Sequence, residues 1–181
     1  MSHTSVGGQR RGSQRSLGGL VGALIAVFGL IACVWGLTWF QHRDLEDPAR
    51  TVDYAPALAA ARAQAPFAIL APRPVPAGLR ATSVSWDSTG ARKSWQLGFV
   101  TDGGEFVGLY EGNGPAADVI EASTPARDPG PPVTIAGAQW LTLTNDARGE
   151  TALVRTTSGV TTVVTGTAGE AVLSSFAGAL H

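Results

Sequence analysis

The sequence predicts an α+β domain behind an N-terminal transmembrane helix, with a largely antiparallel sheet of about six strands and two or three helices. Three observations lead to this fold class. A long uncharged apolar run occupies 17–40, runs of alternating apolar and polar residues recur downstream, and helical patterns separate those runs. The expected order is one helix, followed twice by three strands and a helix.

The apolar run begins at Leu17 and ends at Phe40. As a helix it would extend roughly 36 Å, enough to span the hydrocarbon core of a bilayer. A cleaved secretory signal is the first alternative, but the run is too long and its end too bulky. Lipidation of Cys33, which follows a lipobox-like Leu-Ile-Ala, is the second. Gly18 and Gly22 form a GxxxG pattern that favours pairing of two membrane helices.

Charges beside the run predict its orientation. Three arginines precede it, and no acidic residue does: Arg10, Arg11 and Arg15. Basic residues stay on the cytoplasmic side of a membrane. We therefore expect a cytoplasmic tail over 1–16, a juxtamembrane connector over 41–52 and an extracytoplasmic domain over 53–181.

Composition excludes some classes of function. The chain carries 13 Lys and Arg residues against 14 Asp and Glu residues, and all of the acids lie beyond the apolar run. Nucleic-acid binding needs clustered basic residues, so no nucleic-acid partner is expected. The single cysteine lies in the predicted anchor, and the domain is therefore held together without disulfides. Abundant Arg, Ala, Gly and Pro with a single Lys indicate a GC-rich bacterial source.

The first half of the domain contains a helix, an extended segment and three strands. Asp53 is expected to cap a helix that runs to about Gln64, where Pro66 ends it. The proline-rich stretch 66–76 is expected to lie extended against the domain. Alternating apolar residues and intervening turn residues then predict an antiparallel meander. Its strands are expected over 80–86, 93–100 and 105–111.

The second half repeats the pattern. A helix over 115–123 and a rigid loop over 125–132 precede three more strands, expected over 138–144, 151–156 and 160–165. Thr167 and Glu170 predict a capping box at the start of a last helix. Its apolar residues recur at helical spacing on one side: Leu173, Phe176, Ala177 and Leu180. We expect the helices to pack on one face of the sheet.

Several strands place large apolar groups on both faces. In one strand Phe106 and Tyr110 are expected on the face opposite to their apolar neighbours. In another strand Trp140 is expected on the face opposite to Leu141 and Leu143. A sheet that is buried on one side shows strict alternation. The second face is therefore expected to be covered by the proline-rich segment, by the first helix or by an outside partner. Phe106, Tyr110 and Trp140 are the candidate binding face.

The residue types available restrict catalysis. The three histidines are His3, His42 and His181, and none lies inside the predicted fold. Ser–His, Cys–His and ordinary zinc chemistry therefore lack their residues, and no cofactor or metal is predicted. Acids remain, and a pair of carboxylates is one way to hydrolyse a glycoside. The acids considered are Asp102, Glu105, Glu111, Asp118 and Glu121.

Several segments, taken in order, are similar to a known family. They are the apolar run, Val52-Asp53-Tyr54, Leu70-Ala71-Pro72, the strand Leu79 to Val84, Trp95-Gln96-Leu97-Gly98-Phe99 and the closing stretch Gly166 to Leu173. Together they resemble an actinobacterial family of single-pass membrane proteins labelled as domain of unknown function forty-two forty-five. Leu79 stands where the family pattern has Trp. The resemblance implies a membrane-anchored protein and supplies no catalytic residue.

The sequence favours a non-catalytic binding or interaction module of the bacterial cell envelope. Its expected partners are the lipid bilayer and an envelope protein or lipid ligand. The alternative is a hydrolase that acts on an envelope polymer through carboxylates. Carboxylates that converge in a cleft would favour the hydrolase, and scattered acids would favour the binding module.

Overall fold

The computed structural model describes residues 51–181, and within them the chain forms an α+β domain of three helices and eight strands. The helices are α1 (Ala55–Gln64), α2 (Ala116–Ser123) and α3 (Glu170–Gly178). The strands are β1 (Leu79–Asp87), β2 (Ser94–Thr101), β3 (Phe106–Gly112), β4 (Asp128–Pro129), β5 (Val133–Ile135), β6 (Ala138–Asn145), β7 (Glu150–Thr157) and β8 (Val160–Gly166). The six longer strands confirm the predicted ones to within two residues.

All strands belong to one antiparallel sheet with the order β1-β2-β3-β8-β7-β6-β4, and β5 also pairs with β6. The two predicted meanders therefore lie side by side and meet where β3 pairs with β8. The prediction of about six strands misses β4 and β5, which lie in or just after the predicted rigid loop 125–132. That part of the chain runs along the edge strand β6, where Asp128 pairs with Thr144 and Val133 with Trp140.

The helices pack on both faces of the sheet, so the prediction of a single helical face is wrong. Leu173 and Phe176 of α3 and Ala61 of α1 share one buried cluster with Trp95 and Leu97 of β2. We call this side the α1/α3 face. Strand residues of the opposite phase form a second cluster against Val119 of α2: Ala152, Val154 and Val163. We call this side the α2 face.

The first helix and the proline-rich segment both cover the α1/α3 face. Helix α1 ends at Gln64 as predicted, but its N-cap residue is Tyr54 and not Asp53, and no side chain makes the capping bond. Asp53 instead accepts the N–H of Ala55 at its Oδ1 over 3.0 Å. Ile69 and Ala71 of the extended segment are buried in the same cluster. The backbone of Ala71 also exchanges hydrogen bonds with that of His181. The proline-rich segment is one of the covers expected for the second face of the sheet. It packs instead on the same face as α1 and α3.

The end of β8 is built around Gly166 and the backbone of Phe106. A Cβ atom added at Gly166 would lie 2.0 Å from the carbonyl oxygen of Phe106, so the two backbones approach too closely for any side chain. The hydroxyl of Thr167 accepts the N–H of Phe106 over 3.0 Å. The predicted capping box is therefore wrong: Gly169 is the N-cap residue of α3, and no side chain caps the helix.

Some predictions fall outside the described residues. The transmembrane helix 17–40, with Leu17, Phe40 and the glycines Gly18 and Gly22, is among them, as are the tail, Cys33 and most of the connector. Within residues 51–181, none of the helices is long and apolar enough to cross a membrane.

The close approach at Gly166 generates a prediction. Gly166→Ala should destabilise the domain by about 1–3 kcal/mol, because the added methyl group must push β3 and β8 apart. Gly103→Ala, in the exposed turn between β2 and β3, is the matched control, since an added Cβ there lies 3.6 Å from its nearest neighbour, the Oγ1 of Thr101. Thermal unfolding followed by circular dichroism measures the difference. Equal midpoints for the two variants would contradict this account of β8.

Candidate functional site

The predicted binding residues do not lie together. Phe106 and Tyr110 lie on the α2 face, where Phe106 keeps 43% of its surface exposed and Tyr110 packs beside the second cluster. Trp140 belongs to the buried cluster of the α1/α3 face and is only 3% exposed. Successive residues of a strand point to opposite faces, so Phe106 and Tyr110 share a side of β3. The three aromatic residues therefore form no single surface.

The ring of Phe106 covers its own part of the sheet. A Cβ atom added at Gly108 would lie 2.9 Å from this ring, and one added at Gly98 would lie 3.3 Å from it. The ring thus lies on two glycines of neighbouring strands, where no side chain competes for the space. This contact gives the exposed aromatic residue a structural role within the domain.

A row of side chains with polar groups crosses the α1/α3 face. In the strand register Trp95 pairs with Glu111, Glu111 with Thr162, and Thr162 with Arg155. These four residues come from β2, β3, β8 and β7 and share one side of the sheet, because directly paired residues point the same way. Next to them, the guanidinium of Arg155 lies over the ring of Trp140, 5.6 Å from its centroid.

Glu111 is the buried carboxylate of this row, with 1% of its surface exposed. Its Oε2 accepts the backbone N–H of Leu70 over 2.8 Å, and its Oε1 accepts the hydroxyl of Thr162 over 3.2 Å. The indole Nε1 of Trp95 donates to the carbonyl oxygen of Leu70 over 3.1 Å. Both backbone polar groups of Leu70 are therefore bound by side chains of the row. We call this arrangement the Leu70 clamp.

The clamp holds the proline-rich segment over a cavity of about 330 Å³. Pro66, Phe67 and Leu70 line its segment side, and Glu111, Arg155 and Thr162 line its sheet side. The volume is within the range of small-molecule sites, which combine apolar walls with a few polar groups. The cavity therefore brings one carboxyl group and one guanidinium group to a half-open site with both apolar and polar walls.

Burial raises the pKa of Glu111 from 4.5 to about 7. The hydrogen bonds from Leu70 and Thr162 and the positive charge of Arg62 act in the opposite direction, but they do not offset the loss of water. Arg62 itself donates to the carbonyl oxygens of Ile69 and His181. Near neutral pH the carboxyl group at the cavity can therefore hold or release a proton.

The other acids named from the sequence lie elsewhere. Asp102 and Glu105 are exposed at the turn between β2 and β3, and Glu121 is exposed on α2. Asp118 forms an ion pair with Arg92, N to O 2.8 Å, near a second cavity on the α2 face. Among the described residues that line the Leu70 cavity, Glu111 is the one carboxylate.

Sequence reasoning considered Glu111 only as one acid among several and missed Arg155. A usable signal exists in β3, because Glu111 continues the phase of Val107 and Leu109, which face the core. A carboxylate in the buried phase of a central strand is unusual and needs partners. The partner Leu70 lies 41 positions earlier, so no local pattern identifies it.

The raised pKa of Glu111 predicts a pH-dependent stability. Between pH 4.5 and about 7 the folded chain keeps a proton on Glu111 that the unfolded chain releases. The free energy of unfolding should therefore fall as the pH rises through that window, by about 3 kcal/mol in total, and this contribution should be constant above it.

Denaturant unfolding at several pH values measures the effect. Glu111→Gln should remove this slope while its amide oxygen still accepts the Leu70 N–H. Glu121→Gln, on the exposed side of α2, is the matched control and should keep the wild-type profile. Identical profiles for wild type and Glu111→Gln would show that burial does not perturb this carboxyl group.

Comparison with known proteins gives one match. The family model described as "Protein of unknown function (DUF4245)" matches residues 12–180, almost the whole chain. No curated protein and no solved structure matches this chain. The match confirms the family that the sequence motifs resemble, and the chain belongs to the DUF4245 family of proteins of unknown function.

Proposed function

We propose that this protein is a membrane-anchored, non-catalytic binding module of the bacterial cell envelope, and that its ligand binds in the Leu70 cavity. The observation that carries the proposal is the cavity itself. It places Glu111 and Arg155 on one row of the sheet, under a segment that is held by side chains of that row. Ligand sites typically combine apolar walls with a few convergent polar groups.

The anchor and the location are part of the proposal and rest on the sequence. The uncharged run 17–40 is long enough to span a bilayer, and the basic tail before it favours a cytoplasmic N-terminus. The domain would then stand outside the cytoplasm of an actinobacterial cell. Helix pairing through Gly18 and Gly22 would bring two such domains together on the membrane.

A binding role has better support than the hydrolase alternative. Glycoside hydrolysis commonly uses two carboxylates about 5–10 Å apart, one as acid and one as base or nucleophile. Glu111 has the raised pKa of an acid, but no second carboxylate lines the cavity among the described residues. Asp118 and Asp87 both line a cavity on the α2 face, but Asp118 is ion-paired with Arg92. Hydrogen bonds from Thr89 lower the pKa of Asp87. An ion-paired carboxylate and a carboxyl group with a lowered pKa are poor general acids, and binding is therefore favoured.

The proposal is tested with the full-length protein in its native membrane. Protease added to spheroplasts should digest the domain. Protein extracted in mild detergent should carry a small-molecule adduct in native mass spectrometry. Ala68→Trp should abolish the adduct because it fills the Leu70 cavity, and Ala122→Trp, which lies at the cavities of the α2 face, should not. A protected domain would refute the topology, and an adduct unaffected by Ala68→Trp would refute the site.

A further inference from the structure

We infer that the Leu70 cavity binds a free amino acid with an apolar side chain, whose carboxylate pairs with Arg155 and whose ammonium group pairs with Glu111. This inference rests on the proposed function and names the ligand class of the same site. It follows from the charges of the two side chains, their spacing across the sheet and the apolar wall beside them.

Arg155 is prepared to receive an anion. Its guanidinium lies over the ring of Trp140, and its Nε donates to the hydroxyl of Thr157 over 3.1 Å. These contacts fix the plane of the group. Its terminal nitrogens make no hydrogen bond or ion pair within the described part of the chain. A fixed guanidinium with free N–H groups binds a carboxylate through two parallel hydrogen bonds.

Glu111 is prepared to receive a cation. Each oxygen of its carboxylate accepts one hydrogen bond from the protein and has a second acceptor position. No ion pair neutralises it among the described residues; Arg62, whose positive charge acts to lower the pKa of Glu111, is hydrogen-bonded to backbone carbonyls. An unpaired buried carboxylate is costly, and a ligand ammonium group would offset that cost.

The spacing suits a ligand that carries both charges on one end. Glu111 and Arg155 flank Thr162 in the register, two strand spacings apart, which is about 10 Å between their Cα atoms. Both side chains line the cavity, so a ligand that carries an ammonium and a carboxylate on one carbon would lie between them. Phe67, Leu70 and Val160 supply an apolar wall for the rest of the molecule.

Three probes of matched shape test the inference on the full-length wild-type protein. They are L-leucine, isocaproate, which lacks the amino group, and isoamylamine, which lacks the carboxylate. Isothermal titration calorimetry at about pH 8 compares them with Glu111 largely ionised. L-leucine should bind roughly tenfold or more tightly than either analogue, since each lacks one charge-assisted hydrogen-bonding group. This comparison needs no variant.

Variants then identify which side chain binds the ammonium group of the ligand and which binds its carboxylate. Glu111→Gln should remove the difference in affinity between L-leucine and isocaproate, both measured on that variant. Arg155→Gln should weaken both ligands, and Arg148→Gln, in an exposed turn, should weaken neither. Equal affinities for L-leucine and isocaproate would overturn the amino-acid assignment and leave a plain anion site. Absence of L-leucine binding in a protein that carries a cavity-dependent native adduct would also overturn it while the proposed binding function stands.

Discussion

The hydrogen bond between the Glu111 carboxylate and the Leu70 amide links the proline-rich segment to the centre of the sheet. A segment rich in proline has few N–H groups with which to join a β-ladder. It can therefore be fixed only by the donors and acceptors it retains. Glu111 and Trp95 bind both polar groups of Leu70, and the neighbouring Ile69 and Ala71 enter the core. The segment is also held by the hydrogen bond from Arg62 to Ile69 and by the paired backbones of Ala71 and His181. Leu70 is the residue that side chains of the sheet bind beside the cavity.

The two faces of the sheet differ in how they are covered. The α1/α3 face carries the larger cluster. Helix α1 and the proline-rich segment, which precede β1 in the chain, both pack on this face. The α2 face is covered more sparsely. Helix α2 covers β7 and β8, and the ring of Phe106 covers the glycines of β2 and β3. The exposed ring of Phe106 therefore contributes to the packing of the domain. The polar groups of the proposed site, Glu111 and Arg155, lie on the opposite face of the sheet.

Local patterns predict the six longer strands, the helices and their order, because alternation and helical spacing are properties of residues close in sequence. They fail where contacts between residues far apart in the sequence determine the role of a side chain. Thr167 has the pattern of a capping residue, yet the N–H of Phe106 takes its hydroxyl. The sequence groups Trp140 with Phe106 and Tyr110 as a candidate binding face, although Trp140 lies on a different strand and faces the buried cluster of the α1/α3 face. Arg155 was missed because its importance depends on its position two strands from Glu111.

The central claim is that the carboxylate of Glu111 holds the segment on the sheet. Amide hydrogen exchange of Leu70 tests it most directly, with Val164 in the middle of β8 as the reference for global unfolding. We predict that Leu70 is protected in the wild-type protein. In Glu111→Ala it should exchange faster, by a larger factor than Val164 does. Rapid exchange of Leu70 in the wild type, or equal changes at Leu70 and Val164 in the variant, would contradict the account.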